Sequence, residues 1–283
     1  MPTLTSLTIY PIKSCAGIAL EQAEVTSLGL AGGGVRDREW MVVDVDGNLL
    51  TQREIPVMAL VVPRVARATL AVDAPGMSTL HIPIALGALA QAQTQDVRVW
   101  DDFVLAYDCG SEAAAWFSRF LDTACRLVRF HPQARRLASS KWTAGREVPT
   151  LFSDGFPMLV TSVASLADLN QRLLAQGRAA LPMNRFRPNL VIDGVEAFEE
   201  DYAATIRIGA ACLQPVKPCA RCPMPSVDQA TGKFGPDPLD ILQTYRANPL
   251  VDGGITFGMN AILIDGENSM LQVGQEALIE LAF

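Results

Sequence analysis

Two cysteines three positions apart, with an arginine between them and a proline on either side, stand in Pro218-Cys219-Ala220-Arg221-Cys222-Pro223. Ser226-Val227-Asp228 and Thr231-Gly232 follow closely. The thiolate is the form of cysteine that binds metal or attacks, and a nearby guanidinium lowers a thiol's pKa and favours that form. The chain therefore offers one poised thiolate, and the motif alone leaves its use open. Structural zinc needs four ligands, commonly from two such pairs. There is no second Cys-x-x-Cys, and His81 and His131 are the only histidines. A thioredoxin-type dithiol belongs at a helix N-terminus in a βαβ pattern. This pair instead follows a strand-like run and continues as loop through Pro223 and Pro225. Two incidental loop cysteines are the plain alternative.

Cations stand at element ends elsewhere. Lys13-Ser14 follows Ile9-Tyr10-Pro11-Ile12, Arg38 precedes Trp40, and Arg185-Phe186-Arg187-Pro188-Asn189 sets two guanidiniums around an aromatic before an apolar run. A single Lys or Arg usually sits on a solvated surface or in an ion pair. Guanidinium also suits bidentate binding of phosphate or flat heteroaromatic edges, so the set points to an anionic ligand held between segments. Ser153-Asp154-Gly155 reads as a turn before a strand, with Asp154 also able to accept hydrogen bonds from a ligand amine. Ser-His-Asp catalysis is discounted, because neither histidine has a nucleophile-elbow setting. Glu196, Glu199, Glu200 and Asp201 read as a solvated acidic loop.

The elements that must position these residues are mostly strands. Leu7 and Ile9, then Ala23 and Val25, alternate with polar neighbours at a period of two. Trp40–Val45 and Leu49–Thr51 flank Asp46-Gly47, a tight hairpin. Short runs at 68–72, 79–84 and 97–100 continue the pattern. Ser111 can cap a helix over Glu112–Thr123, whose Ala113, Trp116, Phe117, Phe120 and Leu121 form one stripe. Ser165-Leu166-Ala167-Asp168 resembles a capping box before a helix that stops at Gly177, and Asp237-Pro238 starts a short third helix. Further strands fall at 158–161, 189–192, 205–208, 213–216, 255–264 and 278–282. Gly32-Gly33-Gly34 lacks the spacing of a dinucleotide site. The expectation is a β-rich α+β protein: residues 1–130 as one domain, a polar, basic interdomain loop over 131–150, and 151–283 as a second domain.

Composition narrows the classes. The 283 residues are 49% hydrophobic and 19% charged, enough for a sizeable core without staples. A formal charge of −7 argues against a nucleic-acid binder, which would show a basic face, so a cationic site must be a local pocket. Six cysteines with no secretory signal point to reduced thiols and a cytoplasmic location. The apolar stretches Pro56–Val62 and Ile82–Ala90 fall short of the roughly 20 residues that span a bilayer, so no membrane association is expected.

Tyr10-Pro11-Ile12-Lys13-Ser14-Cys15, Arg36-Asp37-Arg38-Glu39-Trp40, Ser153-Asp154, Phe186-Arg187-Pro188-Asn189 and Cys219-Ala220-Arg221-Cys222 with Val227-Asp228 and Thr231-Gly232 occur in one order. Together they resemble the MOSC proteins, specifically the mitochondrial amidoxime-reducing components and their bacterial relatives, over nearly the whole chain. The resemblance implies an N-terminal MOSC β-barrel-like domain followed by the MOSC β-barrel domain proper, with a few covering helices. It implies a molybdenum cofactor of the molybdopterin type between them, its metal held by Cys222. By the same carry-over, Lys13, Ser14, Arg38 and Arg187 hold phosphate and pterin, Asp154 and Asn189 meet polar pterin edges, and Asn260 is a further contact.

The implied reaction is two-electron reduction of an N-hydroxylated compound, N–OH to N–H plus water, with protons from solvent or Asp154. No C-x4-C-x2-C run is present for an iron–sulfur cluster, so electrons are expected from a separate reductase or small redox protein. Pro225-Ser226 departs from the hydroxyl pair of many relatives, which bears on pocket shape. The main alternative is a non-catalytic carrier of the cofactor or of persulfide sulfur on Cys222; a zinc-bound structural module is a third.

Overall fold

Alternating apolar runs need a partner strand on each side, and the chain meets that need with sheets rather than helices. The computed structural model describes residues 1–89 and 92–282. Ala90, the end of one apolar stretch, and Phe283, the chain end, lie outside them. The fold is β-rich, with α-helices only at α1 (Ser111–Leu121), α2 (Val163–Ala175) and α3 (Leu239–Gln243) among the described residues. No helix there is long and apolar enough to cross a membrane.

The largest sheet has nine strands. Its spatial order is 18–20, 3–9, 190–193, 158–162, 254–265, 211–220, 203–208 and 277–281, with 247–248 added beside 254–265. The first strand, Thr3–Ile9, thus pairs antiparallel with Leu190–Asp193 from far along the chain. The converse exchange occurs near the C-terminus, where Ser269–Gln272 pairs with Gln22–Thr26. A four-stranded sheet joins 94–99, 102–108, 125–130 and 40–44, and smaller sheets complete the structure. One buried apolar cluster runs from Leu4, Ile12 and Trp40 through Phe117 to Met158, Leu190 and Ala261.

Several expectations shift. The cap of α2 is Ser162, whose side chain accepts from the Ser165 amide. Ser165 itself is buried and its hydroxyl donates to Glu200 Oε1 at 2.7 Å. Glu200 is not a solvated acid: it is 2% exposed and also accepts from the Ser162 amide. Asp201 beside it is ion-paired with Arg246. The strands Asp102–Asp108 and Cys125–Phe130 escaped the sequence reading. Cys125–Phe130 carries Arg126 and Arg129 among its apolar residues, and buried Arg129 is accommodated by Glu39 at 2.6 Å and by the Trp40 ring at 4.7 Å.

The strand Ala211–Ala220 leads to the cysteine motif although it contains Pro215 and Pro218, which cannot donate to a ladder. Its register with Gly254–Asp265 shifts between Pro215 and Lys217 and again between Pro218 and Ala220. Such bulges bend a strand and re-aim its side chains. On the partner strand, Gly258 has a φ of +77°, and a Cβ there would stand 2.7 Å from the Val160 carbonyl oxygen. Only glycine fits that approach.

Candidate functional site

Most of the expected site residues lie in loops beside strand ends, Asn260 lies within the strand Gly254–Asp265, and all of them meet at one place. A cleft of about 790 Å3, counted to its open mouth, is lined by Lys13, Ser14, Arg38, Asp154, Arg187, Asn189, Cys222 and Asn260. All eight named from the sequence are therefore brought together, along with Cys219 and Arg221.

Backbone conformation marks the site as well. Ser14, Arg38 and Arg187 have φ of 66°, 50° and 55°, in the left-handed region. Side-chain-bearing residues settle there only where surrounding structure holds them.

That structure is a buried polar cluster. The Asp37 carboxylate accepts from the Tyr10 amide at 2.8 Å and from Asn189 Nδ2 at 3.0 Å. Its other oxygen takes Arg38 at 2.5 Å. Asn189 Nδ2 also donates to the Thr8 carbonyl at 3.1 Å, while its Oδ1 accepts from Arg38 at 3.2 Å and from the Leu159 amide at 3.1 Å. The whole amide of Asn189 is thus engaged with protein. It pins the first strand, the strand beginning at Met158 and the Arg38 side chain to one another. The Arg38 and Arg187 guanidiniums lie 4.4 and 4.2 Å from the Tyr10 ring centre.

Arg187 differs from Arg38 in having no carboxylate or hydrogen-bond acceptor among the described residues, though it is only 6% exposed. Burial, with Arg38 close by, pulls its pKa down to about 10. A buried cation without a counter-ion is costly, and an anion in the cleft would relieve that cost.

Lys13 is buried and reaches the Phe152 carbonyl at 2.8 Å and Asp154 Oδ1 at 2.5 Å. Burial pushes its pKa down, opposed by Asp154. Burial would raise the Asp154 carboxyl, but the Lys13 ammonium, backed by Arg38 and Arg53, holds it well below the usual carboxylate range. The Asp154 side chain is 72% exposed, facing the open cleft, so water screens this pair. Trp100 Nε1 donates to the same oxygen at 3.1 Å. The loop carrying Asp154 is fixed from below by Arg136, whose guanidinium donates to the carbonyls of Leu151, Ser153 and Asp154.

The cysteine loop lines the cleft. Arg221 lies against Cys219, not Cys222: its NH1 is 3.1 Å from Cys219 Sγ and its NH2 donates to the Phe186 carbonyl at 2.9 Å. Both thiols are half-buried and unbridged. Asn260 Nδ2 donates to the Lys217 carbonyl at 3.2 Å. The Ser153 hydroxyl, at the cleft wall, is buried with no partner. Arg185, grouped with Arg187 by sequence, instead pairs with Asp228 at 2.8 Å and donates to the Pro225 carbonyl. Ser226 is turned away to Asp237 at 2.8 Å, so the departure at Pro225-Ser226 does not put a side chain into the cleft wall.

Arg53, Trp100 and Arg136 were missed by sequence reasoning. Trp100 follows the alternating Val97-Arg98-Val99 run directly before Asp101-Asp102, so a hairpin tip was readable there, but nothing local ties it to Asp154. Among the described residues no three His, Cys, Asp or Glu side chains gather as a metal site. A metal at Cys222 would have to bring most of its own ligands.

The chain's likeness to known proteins agrees with this geometry. The description "MOSC N-terminal beta barrel domain" matches residues 1–124 and "MOSC domain" matches residues 148–277. The chain is 39% identical over 248 residues to mitochondrial amidoxime reducing component 2 of Bos taurus, covering 86% of this chain and 72% of the relative. It is 38% identical over 251 residues to mitochondrial amidoxime-reducing component 1 of Mus musculus, covering 86% and 71%. The solved structure of the YUAD protein from Bacillus subtilis aligns with 98% of this chain and 94% of its own, at 12% identity and a TM-score of 0.36, too loose a match to argue from.

Proposed function

The chain belongs to the MOSC family, and on that premise we propose that it is a molybdenum-dependent oxidoreductase that reduces N-hydroxylated compounds, N–OH to N–H plus water. The observation that carries the proposal is the convergence on one cleft of two half-buried thiols and a buried, unpaired guanidinium. The residues present fit an anionic, metal-bearing pterin. Arg187 lacks a counter-ion, the Ser153 hydroxyl lacks a partner, and a thiolate is a sensible ligand for a soft metal centre.

Cys222 would hold the metal. Lys13, Ser14, Arg38 and Arg187 would hold the phosphate and pterin, with Ser153 and Asn260 on polar edges. Asn189, its amide fully engaged, acts by keeping Arg38 in place. When bound, the cofactor supplies the two-electron redox change. Asp154, kept ionised by Lys13, accepts a hydrogen bond from a ligand N–H through its second oxygen rather than acting as an acid, so the protons come from water. Electrons arrive from a separate redox protein; the partners are that protein and a small N-hydroxylated substrate, at a cytoplasmic site and with no nucleic acid or membrane.

The test is elemental analysis for molybdenum, with pterin fluorescence after denaturation, in protein from a cofactor-competent host. Wild type should carry near-stoichiometric metal, Cys222→Ser none, and Cys219→Ser most of it. Equal loss in both variants refutes the single-ligand assignment. A folded wild type that holds no molybdenum but releases sulfur to cyanide would instead make it a sulfur carrier. Steady turnover with NAD(P)H alone would refute the need for a separate donor.

A further inference from the structure

The cleft holds one more cation than its cofactor-facing wall explains. Arg53 also lines the cleft, half-buried, with its guanidinium 4.2 Å from the centre of the Trp100 ring. Among the described residues it makes no direct ion pair and no hydrogen bond, with Asp154 a charge partner at longer range. Asp154, whose carboxyl the Arg53 charge helps keep low, is bonded by Lys13 and by Trp100 Nε1 rather than by Arg53. Stacking on an indole fixes the plane of a guanidinium while leaving its N–H edge free.

Arg53 and Thr51 are shared between the cleft and a second, open groove, whose wall also includes Asn48, Glu54, Arg98 and Trp100. Arg98 is tied to this platform by a 2.8 Å bond from its Nε to the Trp100 carbonyl, and is only loosely paired with Asp101 at 3.9 Å. Glu54, the one acid on the groove wall, accepts from the Thr51 hydroxyl at 3.2 Å. The groove therefore runs from the mouth of the cleft past two guanidiniums and one carboxylate.

We propose that Arg53, mounted on Trp100, is a substrate-recognition residue that takes an anionic substituent, carboxylate or phosphate, on the N-hydroxylated substrate, with the substituent extending toward Arg98. This rests on the reductase reading. A charge-assisted hydrogen bond at a partly desolvated rim favours the anionic substrate by about tenfold in kcat/KM, and raising the salt concentration erodes that preference.

The experiment compares benzamidoxime with its 4-carboxy derivative and with an amidoxime bearing a phosphate ester. It measures kcat/KM for wild type, Arg53→Gln and Arg53→Lys, and binding by calorimetry to the cofactor-loaded proteins. Wild type should prefer the charged probes about tenfold at low salt. That ratio should collapse toward one in Arg53→Gln and be partly restored in Arg53→Lys; which charged probe gains more identifies carboxylate or phosphate. An unchanged ratio in Arg53→Gln overturns the proposal. So does an equal fall for all probes together with lost molybdenum, since Arg53 would then anchor the cofactor. A wild type that turns over no N-hydroxylated compound defeats the reductase reading. In that case calorimetry still decides Arg53: no tighter binding of charged than neutral probe in wild type overturns it.

Discussion

Replacing Asn189 by alanine should cost the protein stability out of proportion to the side chain's size. The amide links the Thr8 carbonyl, Asp37, Arg38 and the Leu159 amide, and the residue is 2% exposed. In Asn189→Ala the Leu159 N–H loses its acceptor, and the Asp37 carboxylate loses one of its donors. An unsatisfied buried group costs about 1–3 kcal/mol, and a lost bond to a charged group about as much. Allowing for a water molecule that recovers part of this, the net loss is about 3 kcal/mol. At roughly 2–4 °C per kcal/mol for a large domain, Tm should fall by about 6–12 °C in a reversible thermal melt. The midpoint of urea unfolding should fall in parallel. Because Arg38 loses its lateral support, molybdenum content should drop too, although Asn189 offers no free group to a ligand. A double-mutant cycle with Asp37→Asn should show coupling, since the two side chains share a hydrogen bond. A Tm within about 2 °C of wild type, with additive effects in the cycle, would refute the reasoning.

Other perturbations test the electrostatics. Lys13→Met removes the charge that holds Asp154 low, so the Asp154 carboxyl should rise toward the ordinary carboxylate range. The sign follows from a depressed folded-state pKa. The pair's stabilisation is present above the unfolded value near ~3.9 and is lost as pH falls through the lowered one; screening at the exposed carboxylate keeps it small. The acid limb of the kcat/KM profile should move to higher pH in Lys13→Met, and an unmoved limb would sink the assignment. Glu200 has the opposite sign: burial, against the pull of Ser165 and Ser162, raises its pKa, and its Oε2 has no partner. Its contribution is present below the unfolded value near ~4.3 and is lost as pH rises through the folded one. Glu200→Gln should therefore gain Tm relative to wild type more at pH 8 than at pH 5, and a pH-independent difference would contradict this.

Much of the candidate site was legible because its residue types are chemically unusual where they stand. A Cys-x-x-Cys between prolines, Lys-Ser after a strand and Arg-Pro-Asn before one are local patterns. The roles of individual residues were less legible, because they depend on partners distant in sequence. Arg185 and Arg187 look alike in a row of five residues, yet one is neutralised by Asp228 and the other is left unpaired. Ser165 reads as a cap but is a hydroxyl consumed by Glu200, because Ser162 already fills the capping position. Arg221 sits between the cysteines in sequence, and only the bulged end of its strand decides that its guanidinium meets Cys219.

The sequence by itself determined the β-rich class, through its period-two runs, and the family, through motifs carried in order. It also determined that any cationic site would be a local pocket in an acidic protein. Only the tertiary structure decided that Thr3–Ile9 lies beside Leu190–Asp193, that Asn189 serves as a fastener, and that Arg53 stands on Trp100. The first two rest on contacts across more than half the chain, and the third on two loops brought together by the sheet that carries Val97 and Val99. Local propensity cannot encode them, because a strand's partner is chosen by the burial and hydrogen bonding of the whole sheet.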